Sequence, residues 1–506
     1  MRAAFLKILD SRGNRIPRTS LSATSYEGAT TGGRLRNWGL STSGPNTALY
    51  QSLGSLRSRS RELIRNNPLV DGGVDSYAAN VVGSGISPRW KLEDTELKMR
   101  LQELWNDWTD HADFTGTCDF YGLQTLGTRA LIDAGEFLAR FVPSPQFSSL
   151  PVPFRIQLIE ADHLDESYNS VAPNGNEIRM GIEVDSWGRR LAYWVYPEHP
   201  GESFLSSRFN QRVRIPVSEM VHVFKPLRIG QMRGRPWLAS IILKLRELDQ
   251  YEDAELVRKK TAAMFGGFIK EITPDFDPEN YFGKKASATD ETGATRDFVA
   301  LEPGTFPILP PNTDVVFSTP ADVGGTYEVW IKQQLREIAH GMGITYEQLA
   351  GDLTEVNYSS IRAGLLEFRR RCEQLQHQVL IFQFCRPVAQ YWLKTAVLSG
   401  AIDIPDFFRS PGKYFRIQWR PDGWPWVDPV KDQLAEQMAV RNGFKSRSQV
   451  VAERGEDVET VDYEIAEGNR RADELGLIFD SDPRKTETSG AIQAVEDKTV
   501  LDSLKE

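Results

Sequence analysis

Between Tyr327 and Phe382 apolar and polar residues alternate twice with the period of an α-helix, separated by a short polar interval. In YEVWIKQQLREIAHGMG, residues Ile331, Leu335, Ile338 and Met342 fall at i, i+4, i+7 and i+11. From NYSSIRAGLLEFRRR onward, Ile361, Leu365, Phe368, Cys372, Leu375, Val379 and Phe382 step by fours and threes. Such steps keep one narrow face of a helix apolar. The interval ITYEQLAGDLTEV has Gly343 and Gly351 near its ends and carries Asp352 and Glu355, so the pattern predicts two helices presenting a short, rigidly placed loop. The second stripe covers roughly 33 Å of helix, long for a single core, which leaves contact between subunits as an alternative to packing within one chain. Pro387 is expected to kink or end that helix unless its neighbours compensate.

The same reading predicts two helices over 47–82, broken at Asn67–Pro68 because a residue before proline avoids helical backbone. VVGSGISPRW closes that unit with Gly83, Gly85 and Pro88, and a further helix over 97–111 places Leu101, Leu104, Trp105 and Trp108 on one face. Strand patterns follow at 137–142 and 154–159, then a hairpin MGIEVD–SWGR–RLAYWVY. RVRIPVSEMVHVFKP reads as a strand with Pro216 at an edge or a strand start, so 83–226 is an α+β region. RPWLASIILKLRELDQYEDAELVRKK reads as a long helix opened by Pro236, with Leu238, Ile241, Leu245 and Leu248 as its apolar face. A Gly-, Pro- and Thr-rich stretch with brief strands at FGGFIKEI, FVALEPG and TDVVF separates it from the helix at 327. KYFRIQW (413–419) reads as a strand, the stretch to about 480 as short helices, and 1–45 and the last twenty-five or so residues as irregular.

At 506 residues, with 40% hydrophobic and 25% charged residues, the chain calls for more than one packed region of ordinary globular composition. No apolar run approaches the length that spans a bilayer, and the apolar part of MRAAFLKILDSRGNR is short for a signal peptide, so a soluble protein made inside the cell is expected. Cys118, Cys372 and Cys385 form neither metal spacing nor a disulfide framework. The net charge of −9 sits in the C-terminal stretch, where 451–506 holds sixteen acids against seven bases; residues 1–70 hold eleven bases against three acids. A basic Ser/Gly/Thr-rich terminus reads as a solvated arm before it reads as a DNA-binding one. An overall balance this acidic disfavours tight duplex binding, which needs many Lys/Arg–phosphate contacts, yet is compatible with DNA sliding past.

Catalytic motifs are lacking. There is no phosphate-binding G-x-x-x-x-G-K-[ST], no dinucleotide fingerprint, no H-E-x-x-H and no G-x-S-x-G. LIEADHLDE groups Glu160, Asp162, His163 and Asp165, a mixed ligand set for a divalent metal, but at a strand end such acids more often cap a turn. His340 falls near the negative end of its helix. Cys372 and His377, five apart, do not share a face and form no nucleophile pair. Arg369, Arg370 and Arg371 fan over the polar face of their helix, suited to solvent or to ion pairs. No catalytic residue, metal or cofactor is expected.

Several collinear segments resemble the lambda family of bacteriophage portal proteins over about 47–480: RNNPLVDGGVDSYAANVVGSGISP, LIEADHLD, EMVHVFKPLRIGQMRGRPWLASIILKLRELDQYEDAELVRKK and GITYEQLAGDLTEVNYSSIRAGLLEFRRR. The resemblance implies a mainly helical α+β portal fold assembling as a ring, typically of twelve subunits, at one capsid vertex. It implies a flexible basic arm (1–46), a wing (47–235), a stem helix (236–262), a clip (263–322), a second stem helix (323–342), a tunnel loop (343–357), a tunnel helix returning to the wing (358–420), a helical crown (421–480) and a disordered acidic tail (481–506). Gly351, Asp352, Leu353, Thr354, Glu355, Val356 and Asn357 would then form the DNA-tunnel loop, Asp352 and Glu355 weakly repelling DNA while Leu353 and Val356 narrow the bore. Ile331, Leu335, Ile338, Met342, Ile361, Leu365 and Phe368 would pack the stem and the oligomer. Implied partners are further copies of the chain, the terminase large subunit, a head-completion or tail-connector protein, major capsid and scaffolding proteins, and double-stranded DNA passing without sequence preference; no membrane is implied. The implied location is the capsid portal vertex of the virion, after assembly in the host cytoplasm. The alternatives are a terminase or nuclease of the packaging machine, or a head–tail adaptor or minor capsid protein.

Overall fold

A computed structural model describes residues 39–143, 150–202, 211–264, 327–354, 356–424 and 429–479, four short strands between 269 and 309, and residues 482 and 484. The chain enters through α1 (Pro45–Tyr50), α2 (Leu53–Asn66) and α3 (Pro68–Val82). The break expected at Asn67–Pro68 is present, and the Asn67 side chain caps α3 by accepting from the Leu69 and Val70 amides at 3.1 and 3.2 Å. A second break, at Gln51–Ser52, was not expected. α3 stops at Gly83 in left-handed backbone, φ +59°. β1 (Ser87–Trp90) then pairs antiparallel with β14 (Ile417–Arg420), joining distant parts of the chain. KYFRIQW is therefore a strand only over its last residues, and Pro411–Lys413 forms a 3-10 turn instead.

α4 (Thr95–Thr109) buries Leu101, Leu104, Trp105 and Trp108 as its period requires. Next comes α5 (Phe120–Asp133), capped by Asp119 and absent from the sequence reading. Its inward face is interrupted at Gly127, where an added Cβ would lie 2.7 Å from the Phe137 ring. The glycine exists to let that ring pass, and it erases the periodic signal.

β2 (Glu136–Pro143) is the centre of a three-stranded sheet between β3 (Phe154–Glu160) and β9 (Met220–Phe224). A second, five-stranded antiparallel sheet runs β4 (Ser170–Val171), β5 (Glu177–Arg179), β6 (Ile182–Val184), β7 (Arg190–Val195), β8 (Val213–Pro216). The predicted hairpin is β6–β7. Pro216 lies on edge strand β8, where its missing N–H costs no ladder bond. RVRIPVSEMVHVF is not one strand: the chain leaves one sheet after Pro216 and joins the other at Met220, and Leu138, Ile159, Met180, Ile182 and Tyr193 fill the small core between them.

The helix read from Pro236 begins later. Trp237–Ser240 is a 3-10 turn and α6 runs Ile242–Met264. Its partner α7 (Tyr327–Met342) meets it through Tyr251 against Trp330, ring centroids 4.6 Å apart, and Tyr251 stacked on Tyr327. Between them, β10 (Ile269–Lys270) pairs with β13 (Ile308–Leu309) and β11 (Ala286–Thr289) with β12 (Thr295–Phe298). TDVVF and most of FVALEPG lie outside the described residues.

After α7 come α8 (Tyr346–Ala350) and α9 (Tyr358–Leu375), then a ten-residue π-helical segment, Gln376–Cys385, then α10 (Arg386–Leu398). Pro387 thus neither ends nor breaks the helix. It sits in the first turn of α10, where no N–H is needed, and the Arg386 amide bonds five residues back to Ile381. The wider turn also rotates the buried face. Phe368, Cys372, Leu375 and Val379 are buried as expected, but Phe382 is 59% exposed, and burial continues through Leu380, Ile381, Phe384, Cys385, Val388 and Trp392. These residues join α3, α4, α5 and β2 in one continuous core, so most of the long stripe is packed within the chain. α11 (Pro429–Arg441), α12 (Arg447–Glu453) and α13 (Val458–Leu475) complete the described chain. The observed architecture is mainly helical α+β.

Candidate functional site: loop 351–357 and its supports

The interval between α7 and α9 is shorter as a loop than 343–357, because α8 occupies its middle. Thr345 and Gln348 form a reciprocal capping box at 3.0 and 3.3 Å, and Gly351, at φ +66°, ends the helix with its N–H on the Glu347 carbonyl. Leu349 and Ile344 are buried beside Met342 against Gly73 of α3, where an added Cβ would lie 2.8 Å from the Met342 side chain. The base of the loop is thereby fixed to α3.

Asp352 turns inward along the chain. Its Oδ1 accepts from the Thr354 amide at 3.0 Å and hydroxyl at 2.6 Å, and its Oδ2 accepts from the Tyr346 hydroxyl at 3.1 Å. Lys332 of α7 stands 3.9 Å away. The Thr354 bonds, with Tyr346 and Lys332, hold the carboxyl below the usual carboxylate range. Asn357 closes the loop as N-cap of α9, accepting from the Ser360 amide at 2.8 Å. Leu353 is 64% exposed, Thr354 is exposed and Val356 half-buried; Glu355 lies outside the described residues. Of the helix residues, Leu335, Ile338, Met342 and Phe368 are buried in the chain's own core, while Ile331, Ile361 and Leu365 are half-buried.

The arginine run on α9 is engaged locally. Arg369 stacks over Trp424 at 5.3 Å, Arg371 lies 3.5 Å from Glu367, and Arg362 reaches Asp432 of α11 at 2.9 Å. LIEADHLDE divides. Ala161–His163 is a 3-10 turn; Asp165 accepts from Ser167, Tyr196 and Arg212; and Glu160 and Asp162 gather with His199. Arg61 reaches Asp162 at 2.7 Å and Glu160 at 3.0 Å, with Arg57 3.4 Å from Asp162. Two guanidiniums stand at ion-pair distance from these acids, and the group reads as an ion-pair network.

The profile of the lambda family of phage portal proteins matches residues 31–376, well over half the chain, and takes in α1 to α9 and the loop before α9. The chain belongs to that family. A probable portal protein of Halomonas phage phiHAP-1 is 29% identical over 439 residues, covering 85% of this chain and 82% of that one. The portal protein of Escherichia phage N15 is 23% identical over 467 residues, covering 85% and 86%. A chain from the neck of an empty GTA particle is 16% identical, spanning 82% of this chain and 99% of that chain, with a TM-score of 0.45, too loose a likeness to carry an argument. The function is that of a phage portal protein, and its place is in the virion.

A fully buried charged cluster of this portal protein was not legible beforehand. Glu136 of β2 is fully buried; its carboxylate accepts from Arg233 Nε at 2.7 Å, the Gly234 amide at 2.5 Å and His222 Nε2 at 2.9 Å. Arg233 also donates to the carbonyls of Leu164, Met180 and Ala161, each at 3.1 Å, tying both sheets together. Burial alone would raise Glu136, but the Arg233 guanidinium and His222 overcome it and hold the carboxyl well below its ordinary range. Burial pushes His222 down to about 4, so its ring is neutral at pH 7 and Nε2 carries the proton shared with Glu136. His222 and Arg233 lie 86 and 97 positions from Glu136 in sequence, and no spacing rule connects them.

Proposed function

We propose that this portal protein closes into a ring, of twelve subunits as the family resemblance implies, at one capsid vertex, and that loop 351–357 lines the narrowest part of the DNA channel through it. The carrying observation is the way the loop is held. Caps at Thr345, Gly351 and Asn357 and a buried base leave Leu353 as the exposed apolar side chain at its tip. A ring of such residues offers passing DNA a surface without guanidinium or ammonium groups, and so without the phosphate pairing that would stall it. The strands between α6 and α7 form the end that meets the terminase large subunit and, later, a head-completion or tail-connector protein. Capsid and scaffolding proteins contact the wing during assembly in the host cytoplasm. The DNA is double-stranded and read without sequence preference. No helix among the described residues is long and apolar enough to cross a membrane.

Negative-stain microscopy of the purified protein should show rings with a central hole; a monomer with nucleotide-dependent activity would instead point to a packaging enzyme. In phage supplied with Leu353→Ala/Val356→Ala portal, rings should form while DNA packaging or retention falls at least tenfold. Normal packaging and retention would remove the loop from the constriction.

A further inference from the structure

An acidic side chain in a DNA channel is easily read as a charge that repels phosphate, but the geometry around Asp352 supports a different use. Its two oxygens take three hydrogen bonds, two from Thr354 across the turn and one from the Tyr346 hydroxyl, and Lys332 opposes its charge from α7. Tyr346 is itself held from its other side: the Arg336 guanidinium lies over its ring at 5.4 Å. Lys332 is mostly covered and also reaches Glu328 at 2.8 Å, one turn earlier on the same helix. A continuous path of contacts therefore runs from the stem helix α7, through Lys332 and Arg336, to Tyr346 and Asp352, and on to the backbone of Thr354 beside Leu353.

We propose that Asp352 is a positioning residue, the end of a strut that runs through Tyr346 and Arg336 to stem helix α7 and joins that helix to loop 351–357, and that its hydrogen bonds rather than its charge serve the channel. The inference rests on the reading that this loop lines the channel. The strut fixes where Leu353 points and delivers any displacement of the stem directly to the loop, because a short turn closed by three bonds moves as a unit.

Charge and hydrogen bonding are separable at this position. Asp352→Asn removes the negative charge but keeps an oxygen for both Thr354 bonds, and its amide can donate to the Tyr346 hydroxyl oxygen. Asp352→Ala removes all three bonds. Two readouts are taken on each variant: amide exchange at Thr354 in the purified protein, and DNA packaged per head when the variant replaces the wild-type portal. Asp352→Asn should leave exchange unchanged and packaging within about twofold of wild type. Asp352→Ala should speed exchange at Thr354 at least tenfold and lower packaging at least tenfold with rings still formed. Tyr346→Phe should fall between them. Equal packaging losses in the Asn and Ala variants with unchanged exchange would show that the charge matters, overturning the proposal. Unchanged exchange in Asp352→Ala would show that there is no strut. Faster exchange with normal packaging in Asp352→Ala would uphold the strut and remove the channel role of the loop, so the two readings fail separately.

Discussion

Glu136, His222 and Arg233 show how much one buried carboxylate can demand of its surroundings. A buried pair contributes little net stability, but removing one partner strands the other. Arg233→Met should therefore destabilise the fold by about 3–5 kcal/mol, read as a lower denaturant midpoint, because Glu136 keeps its burial and loses its strongest counter-charge. His222 gives a pH signature. Its folded value, about 4, lies below the 6.5 of an ordinary histidine, so between those values the unfolded chain binds the extra proton and stability falls as the pH falls. Asp133 opposes this in the wild type. Burial raises it to about 7 against Arg61, so it takes up its proton in the folded state first and favours folding as the pH falls. The difference between wild type and His222→Gln isolates the histidine: small at pH 7, it should move in favour of the variant by up to about 3 kcal/mol near pH 4. Denaturant titrations of both proteins at pH 7, 6 and 5 check the slope, and parallel midpoints would refute it.

At the scale of elements, two glutamines, Gln124 buried and Gln383 half-buried, behave as substitute strands. Gln124 of α5 takes the Ile86 amide at 2.8 Å and gives to the Ile86 carbonyl at 3.0 Å. Gln383, in the π segment, does the same for Phe224 at the end of β9, both at 3.0 Å. Each satisfies one backbone donor and one acceptor where no strand is available. Replacing either with Met keeps the bulk and removes both bonds, which should cost about 1–3 kcal/mol for each buried group left unpaired. The local mark of that loss is faster amide exchange at Ile86 in Gln124→Met and at Phe224 in Gln383→Met, each without effect on the other site. The elements around these clamps were mostly readable. The caps, the apolar faces of α4 and α6 and the β6–β7 hairpin follow from local chemistry. α5 was not, because Gly127 yields its core position to Phe137. The π segment was not either, because a helix with a wider turn has the same composition as one without it, and only the exposure of Phe382 against the burial of Phe384 and Cys385 reveals it.

Across the whole molecule, the apolar stripe on α9 and its continuation are largely used up inside the chain, and so are Leu335, Ile338 and Met342 of α7. Other apolar side chains of these two helices stay at the surface: Leu243, Leu256 and Val257 on α6 and Val329 on α7 are all at least half exposed. On the ring reading these side chains meet the next copy. Val257→Asp combined with Val329→Asp should abolish rings in negative stain and sedimentation while leaving the helical circular-dichroism spectrum of the subunit intact, since neither side chain is in the core. Persistence of rings would place the contact on another face.

Most of the element order, the loop between two helices, the absence of catalytic motifs and the family followed from the sequence, because period and motif order are properties of neighbours along a chain. Three features were decided only by the fold. Asp352 became a hydrogen-bonded strut once Tyr346, held under Arg336, came within reach. Most of the long stripe became the chain's own core when the π segment turned it toward α3, α5 and β2. Glu136, His222 and Arg233 became one centre because β2, β9 and the chain after β9 meet there. Each depends on which distant groups share a low-dielectric interior, and that proximity is not encoded in local spacing.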